Sequence, residues 1–146
     1  DASGIMRPAL SRGDLSCIGA TTLDDYRKYV EKDESIGRRF KPIMIDAPDI
    51  KTTTLILSQR LPRMETHYGL KIMPEILGRA AALSSRYIPG RNQPDLAVDV
   101  IEEAASRAAM DGQRRVSMKQ INAVIAEWSG VPLGTLSRSD KTSYIN

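Results

Sequence analysis

The hydrophobic pattern of the sequence changes near Pro48, and this change constrains the fold more than any other feature. Before Pro48, short apolar runs flank one amphipathic segment. After it, apolar residues recur at the three- and four-residue spacing of helices that bury one face. The chain therefore divides into three parts: residues 1–48, residues 49–128 and residues 129–146. The last part is a polar tail typical of a linker. We expect an α/β fragment followed by a mainly α-helical part.

The segment before Pro48 has the pattern of an α/β layer. "LSCIGAT" (Leu15 to Thr21) is small and β-prone, which suits a central strand, and "FKPIMIDAP" (Phe40 to Pro48) alternates as an edge strand does. Between these runs, Thr22 can cap a helix with acidic residues in its first turn, where the helix dipole favours them. Parallel strands need neighbours, so we expect residues 1–48 to be the end of a larger layer.

Four amphipathic segments follow, and they predict a cap of four helices. The first begins at Asp49, a candidate N-cap, and we expect Pro62 to bend or interrupt it. The others span Pro74 to Tyr87, Asp95 to Met110 and Val116 to Trp128. The faces that we predict to be buried are Ile76, Leu77, Ala80, Ala81 and Leu83; Leu96, Val100, Ala104 and Ala108; and Ile121, Val124, Ile125 and Trp128. The short runs "LKIM" and "RRVSM" are candidates to pair as a small ribbon.

The composition narrows the classes of function. A net charge of +3 and 5% aromatic residues do not give the basic, aromatic-rich surface of a nucleic-acid binder. Cys17 is the only cysteine and lies in an apolar run, so we expect it to be buried and the protein to be cytoplasmic. His67 is the only histidine, which excludes a multi-histidine metal site. No apolar run approaches the length that spans a membrane, and the opening residues lack a signal-peptide pattern.

Three motifs occur in a consistent order: "GATTLDDYRKYVEKD" from Gly19, "RRF" from Arg38 and "PDLAVDVIEEAASR" from Pro94. Together they resemble the first ATPase module of the Clp family of AAA+ unfoldases and disaggregases, of the ClpA, ClpB and ClpC type. The resemblance extends over nearly the whole chain, through "WSGVPLGTL" near its end. It implies the last part of an AAA+ large α/β subdomain, followed by the four-helix lid subdomain.

The resemblance implies catalytic roles for three residues before Pro48. Thr22 occupies the sensor-one position, from which a short hydroxyl can bond the γ-phosphate or the attacking water, although a helix cap alone would also explain it. Arg38 and Arg39 match the paired arginine fingers, which generally act on nucleotide bound by the neighbouring subunit. Arginine suits that role because it offers several donors and does not deprotonate. The family commonly has an acidic residue where this chain has Gly37.

The resemblance also implies nucleotide-binding residues in the helical part. Ile56 falls where the family places an aliphatic side chain against adenine, although an ordinary core isoleucine is an equally good interpretation. Pro94 and Asp95 match the lid motif that opens a helix near the nucleotide. The family usually has lysine after that aspartate, whereas this chain has Leu96, which weakens the case for a lid cation there.

The sequence contains no G-x-x-x-x-G-K-[ST] phosphate loop and no acidic run suited to Mg²⁺. In the family both elements precede the part that resembles this chain. The resemblance therefore implies ATP or ADP with Mg²⁺ in the full-length protein, and no metal site, tightly bound nucleotide or ATPase activity in this chain alone. The implied partners are neighbouring subunits of a homo-hexamer and unfolded or aggregated proteins, with a ClpP-like protease as a further candidate.

Two other functions fit part of the sequence. Four amphipathic helices and a mild positive charge also suit a helical protein-interaction module without any nucleotide role, in which changes at Thr22 and the arginine pair would be silent. A clamp-loader or replication-type lid that acts on DNA is the second alternative. The missing basic-aromatic surface and the Clp-specific stretch "YRKYVEKD" argue against it.

Overall fold

A computed structural model describes Pro8, Arg12 and residues 16–136, with the side chain of Ser35 excepted. The chain forms two compact units, Asp1–Ile45 and Asp46–Asn146. The three-part division of the sequence at residues 48 and 128 stays a prediction, and most of the predicted linker, residues 137–146, lies outside the described residues.

Within residues 16–45, the first unit contains three short helical pieces. They are α1 (Leu23–Asp25), a π-helical turn (Tyr26–Val30) that follows it directly, and α2 (Glu34–Gly37). The amide of Glu31 donates to the carbonyl of Tyr26 at 2.9 Å, which closes the wide π-type turn. A Cβ atom on Gly37 would lie 3.1 Å from the carbonyl oxygen of Val30, so a larger residue there would require this carbonyl to move by a few tenths of an ångström.

In the part of this region that the structure describes, the two strands that the sequence predicts are not formed. Residues 16–22 and 40–49 lie outside any helix or strand of the described part. The apolar side chains of Ile18, Ile43 and Ile45 are strongly exposed. Their alternation favours a strand, but a strand is stable only when a neighbour completes its hydrogen-bond ladder and covers its face. Cys17 is exposed as well, so the prediction that it is buried is wrong for the same reason.

The second unit begins with the long helix α3 (Ile50–Tyr68). Asp49 caps it as predicted: its carboxylate accepts a hydrogen bond of 2.7 Å from the amide of Thr52. Pro62 does not interrupt the helix, because α3 continues six residues beyond it, and the alternative that Pro62 bends the helix stays a prediction. Leu57 and Met64 are buried on either side of Pro62, and this packing outweighs the hydrogen bond that proline cannot donate.

Between residues 71 and 129 the elements are β1 (Lys71–Ile72), α4 (Glu75–Tyr87), α5 (Asp95–Met110), β2 (Arg115–Val116) and α6 (Met118–Ser129). β1 and β2 pair in parallel, with Ile72 opposite Val116, which confirms the predicted ribbon. Helix α5 packs against α3, α4 and α6, and α4 packs against α3 and α6. The fully buried side chains of this core include Leu57, Ile72, Leu77, Leu96, Val100, Ile101, Val116, Ile121, Val124, Ile125 and Leu136.

The predicted helical faces are confirmed except at one residue. Every predicted inward residue of α4 and α5 is buried, and so are three of the four in α6. Trp128 is the exception, with 38% of its surface exposed. Ser117 caps α6 as predicted and forms a capping box with Gln120. In the described residues, no helix is long and apolar enough to cross a membrane.

Polar side chains fasten the ends of these elements. The carboxylate of Glu65, near the end of α3, accepts from the amide of Ile72 at 2.9 Å and from Lys71 Nζ at 3.0 Å. The amide hydrogen bond, and then the lysine, hold the pKa of Glu65 below its ordinary value. Arg107 of α5 forms a fork with both carboxylate oxygens of Glu127 on α6, at 2.6 and 3.1 Å. The ribbon and α6 are thus tied to their neighbours by charge-assisted bonds.

Candidate functional site

Thr22 is exposed at the start of α1. Its Oγ1 atom accepts a hydrogen bond of 3.1 Å from the amide of Asp25, and its extended backbone is that of an N-cap. The predicted cap is therefore confirmed. The hydroxyl keeps an unused donor and a second lone pair in this arrangement, so a cap and a phosphate contact are chemically compatible.

Arg38 and Arg39 follow the last residue of α2. The guanidinium of Arg38 contacts the carboxylate of Glu34, one helical turn earlier, at 3.2 Å, and 77% of the Arg38 side chain is exposed. The backbone amide of Arg39 donates to the carbonyl of Ile36 at 2.9 Å, which continues the helical turn through the pair. Two adjacent, exposed guanidinium groups thus extend from the end of a short helix.

Pro94 and Asp95 lie together at the start of α5. Pro94 is the N-cap residue and its bond to Gln93 is cis, while Asp95 is the first helical residue. Asp95 is exposed and accepts from Arg91 Nη2 at 3.2 Å. An acidic residue in the first turn of a helix is stabilised by the helix dipole. This turn is the helix start that the lid motif predicts.

Arg91 was not singled out from the sequence, although it organises the surface of this turn. Its guanidinium bonds the carboxylates of both Asp95 and Asp99 and lies 6.0 Å from the ring centroid of Trp128. The hydrogen bond to Asp99, and then the contacts with Asp95, raise the pKa of Arg91. The four-residue spacing of positions 91, 95 and 99 could have revealed this pairing.

Gln93 was missed because glutamine is common on surfaces and carries no motif. It is only 7% exposed. Its amide bonds α4 on one side and the first turn of α5 on the other. No pattern in the sequence distinguishes it from an exposed glutamine such as Gln59.

Ile56 and Leu96 have different environments within the second unit. Ile56 is half-buried on α3, next to the fully buried Leu57, so it is not one of the core residues that define the interior. Leu96 is fully buried. The position at which the Clp family usually has a lysine is therefore part of the hydrophobic core in this chain.

The predicted residues fall into two groups that belong to different units. Thr22, Arg38 and Arg39 are in the first unit, while Ile56 and the Pro94–Asp95 turn are in the second. Within each unit, the structure places Arg38 beside Arg39 and Pro94 beside Asp95. In the described residues, no cluster of histidine, cysteine, aspartate or glutamate could hold a metal ion.

A cleft of about 670 Å³ lies between α3 and α5 and contains none of the predicted residues. It is lined by Arg60, Pro62, Arg63, Met64, Thr66, His67, Tyr68 and Glu102. Burial, and then the nearby carboxylates of Glu102 and Glu103, raise the pKa of Tyr68. The ring of His67 meets that of Tyr68 edge-on, with centroids 4.7 Å apart. Both cationic and anionic side chains line the cleft, so its charge does not select a ligand of one sign.

Comparison with known proteins identifies the family. The profile of the AAA lid domain matches residues 49–143. The chaperone protein ClpB of Rhodopirellula baltica is 50% identical over 111 residues, which is 76% of this chain and 13% of that protein. ClpB of Rhizobium meliloti is 50% identical over 110 residues, 75% of this chain and 13% of that protein. The chain thus spans a small part of these relatives.

Solved structures of Hsp104 resemble the chain along almost its full length. The ADP complex of S. cerevisiae Hsp104 matches 99% of this chain and 26% of that one, with a TM-score of 0.84 and 39% identity. The closed state of Hsp104 with ATPγS and FITC casein has the same TM-score and coverage, with 38% identity. The chain therefore belongs to the AAA lid domain family, in the form that Clp-type AAA+ chaperones carry.

Proposed function

We propose that this chain supplies part of the ATP-hydrolysing site of a Clp-type ATPase that unfolds or disaggregates proteins. The observation that carries the proposal is the 50% identity with ClpB chaperones over 111 residues. Similarity to Hsp104, which was solved with ADP, with ATPγS and with casein, supports nucleotide and a protein chain as ligands of the complete machine. Because the chain spans 13% of such relatives, we attribute to it only a share of their activity.

In this proposal, Arg38 and Arg39 act on nucleotide held by a neighbouring subunit. The side chain of Arg38 is 77% exposed, and its ion pair with Glu34 is of the surface type that contributes little to stability. It can therefore leave the carboxylate for a phosphate at little cost. There it would stabilise the negative charge that develops as the terminal phosphoryl group transfers. Thr22 would bond the γ-phosphate or the attacking water through the donor that its cap does not use.

The helical unit acts as the lid of the same site. Ile56 would contact the adenine, and the Pro94–Asp95 turn would lie near the nucleotide and respond to its hydrolysis. Through these contacts, hydrolysis would move the four-helix lid as a rigid body. Mg²⁺ and the phosphate loop would come from the rest of the ATPase. The proposed assembly is a cytoplasmic homo-hexamer that acts on unfolded or aggregated proteins, with a ClpP-like protease as a further candidate partner.

The test is a double substitution, Arg38→Ala with Arg39→Ala, in the full-length ATPase that carries this segment. We expect kcat for ATP hydrolysis to fall by roughly 10³-fold, the lower end of what an arginine finger contributes. The matched control is Arg114→Ala with Arg115→Ala, an adjacent pair that is also exposed and removes the same charge. We expect the control to keep kcat close to the wild-type value and both variants to keep their thermal unfolding temperature.

Mixing subunits tests whether the fingers act between subunits. Subunits with the Arg38 and Arg39 substitutions keep their own phosphate loop, and subunits with a disabled phosphate loop keep the arginines. If the fingers act on the neighbour, mixed rings regain ATPase activity that neither protein has alone. Equal kcat in the Arg38/Arg39 variant and the Arg114/Arg115 control would refute the finger role and favour an interaction module without a nucleotide role.

A further inference from the structure

We propose that Gln93 is a positioning residue for the Pro94–Asp95 turn: its buried amide fixes this turn between α4 and α5 and so determines how the lid meets the nucleotide. The inference rests on the proposed function, since it deepens the role of the lid motif. It concerns a residue that contacts the helices rather than the nucleotide.

The amide of Gln93 joins two helices that pack against each other. Nε2 donates to the carbonyl oxygen of Ala81 at 3.1 Å and to the hydroxyls of Ser84 and Ser85 at 2.9 and 3.0 Å, all on α4. Oε1 accepts from the amide of Ala97, on α5, at 3.2 Å. Because its two N–H groups have three acceptors within reach, both hydrogens of Nε2 are hydrogen-bonded.

The orientation of this amide has a single solution. The backbone N–H of Ala97 can only donate, so an oxygen must face it, and the carbonyl of Ala81 can only accept, so a nitrogen must face it. Both partners are in buried surroundings, where an unmade hydrogen bond is expensive. The side chain of Gln93 therefore locks one arrangement of the turn relative to α4.

The start of α5 depends on the hydrogen bonds of Gln93, because the N-cap residue of α5 offers no side-chain hydrogen bond of its own. Pro94 has no side-chain oxygen to cap the helix and no N–H of its own. The donors of the first turn are instead served from residues before it: Leu96 donates to the carbonyl of Asn92 at 3.1 Å, and Ala97 donates to Gln93. Asp95 lies between the two acceptor residues, 92 and 93, and the two donor residues, 96 and 97, so its placement follows from these hydrogen bonds.

A single isosteric substitution separates positioning from packing. In Gln93→Glu, one carboxylate oxygen can still accept from Ala97, and the hydroxyls of Ser84 and Ser85 can turn to donate to the other. The carbonyl of Ala81 can only accept, so its bond is lost. The carboxyl group of the substituted glutamate can donate to the carbonyl of Ala81 only when it is protonated. The surroundings therefore favour the protonated form and raise the pKa of this carboxyl group above its ordinary value. The charged side chains nearest in the chain are Arg86 on α4, Arg91 on the turn, and Asp95 and Asp99 on α5, and Arg91 is paired with both aspartates.

The experiment measures KM for ATP and kcat in the full-length ATPase, from slightly above the ordinary Glu pKa of about 4.3 up to about pH 8. The proteins are wild type, Gln93→Glu, Asp95→Ala and the control Gln59→Glu, which makes the same change at an exposed residue of α3. We expect Gln93→Glu to match wild type at the acidic end. With rising pH its KM should increase about tenfold, which corresponds to one buried hydrogen bond left unmade. Its kcat should stay within about twofold, because a displaced turn weakens binding of the ground state and of the transition state equally.

The outcomes separate this inference from the proposed function. If Asp95→Ala raises KM and Gln93→Glu follows the Gln59→Glu control at every pH, the lid motif holds and the positioning role of Gln93 is wrong. If neither variant changes KM, the lid role of the turn is wrong, and the inference with it. Gln93→Met keeps the length of the side chain without its hydrogen bonds, so a folded Gln93→Met protein with wild-type KM also overturns the inference.

Discussion

The buried hydroxyl of Thr53 is expected to destabilise the helical unit, and removing this hydroxyl should stabilise the unit. The residue lies on the inner face of α3, with 0% of its surface exposed. In the part of the chain that the structure describes, its Oγ1 atom has no hydrogen-bond partner. Thr53→Val replaces that hydroxyl by a methyl group of nearly the same shape, so it removes the unpaired polar atom without opening a cavity.

The size of the effect follows from the cost of burying an unpaired hydroxyl, about 1–3 kcal/mol in mutational data. Valine and threonine have similar helix propensities, so the backbone contributes little to the difference. We therefore expect Thr53→Val to raise the free energy of unfolding by about 1 kcal/mol, because part of the cost is relieved by small movements of the helix. For a unit of this size, that change corresponds to an increase of about 4 °C in the unfolding temperature.

The assay is urea unfolding followed by far-UV circular dichroism, with equal m-values as the check that both proteins unfold to the same state. The control is Thr54→Val, the same change at the next residue of α3. The hydroxyl of Thr54 donates to the carbonyl of Ile50 at 2.7 Å, so this variant loses a bond and should lose up to about 1 kcal/mol. A decrease in unfolding free energy for Thr53→Val, or an equal change in both variants, would refute the reasoning.

Two further predictions concern the close approach of α2 and the end of α3. Gly37→Ala should speed amide hydrogen exchange at residues 36–40, because the new Cβ would lie 3.1 Å from the carbonyl oxygen of Val30. This effect is opposite to the usual preference of alanine for helices. The control Gly19→Ala, with nothing within 4 Å of the new Cβ, should leave that exchange unchanged. Glu65→Ala should lower the free energy of unfolding at neutral pH by about 1–2 kcal/mol, since a carboxylate bonded to the amide of Ile72 and to Lys71 is lost. The pKa of Glu65 is lowered in the folded protein, so its contribution is complete above the unfolded pKa and disappears as pH falls through the folded one. Urea unfolding at neutral and acidic pH should therefore show a difference between variant and wild type that closes in acid; a difference independent of pH would contradict this account.

The helical unit could be predicted largely because its information is local. Each of α4, α5 and α6 has one apolar stripe, and each stripe is buried by another helix of the same unit. The caps at Asp49 and Ser117 are also local, since each side chain directly precedes its helix and accepts from an amide two or three residues later. The local pattern could not show that α3 continues through Pro62, because the packing of Leu57 and Met64 depends on the rest of the core.

The candidate site could be predicted only where a resemblance supplied a role. Arg38 and Asp95 were named from motifs, whereas Gln93 and Arg91 were not, because their importance arises from partners that a turn brings together. Gln93 bonds residues 4 positions ahead and up to 12 positions behind it. No periodicity records such contacts, since they depend on how the turn after α4 closes.

The exposed strand-like runs and the exposed arginine pair have a common physical explanation under the proposed function. Ile18, Ile43 and Ile45 lie in apolar, strand-like runs but are exposed, and Arg38 forms an ion pair with the surface carboxylate of Glu34. Burying each isoleucine is worth roughly 1.5–3 kcal/mol, and a paired guanidinium gains most when its partner is a phosphate. Both features would be satisfied by a sheet and a nucleotide that belong to a larger ATPase ring. The helical unit, by contrast, buries its own apolar stripes. Under the proposed function, the change in pattern near Pro48 therefore separates residues that pack within this chain from residues that bind other parts of the ATPase.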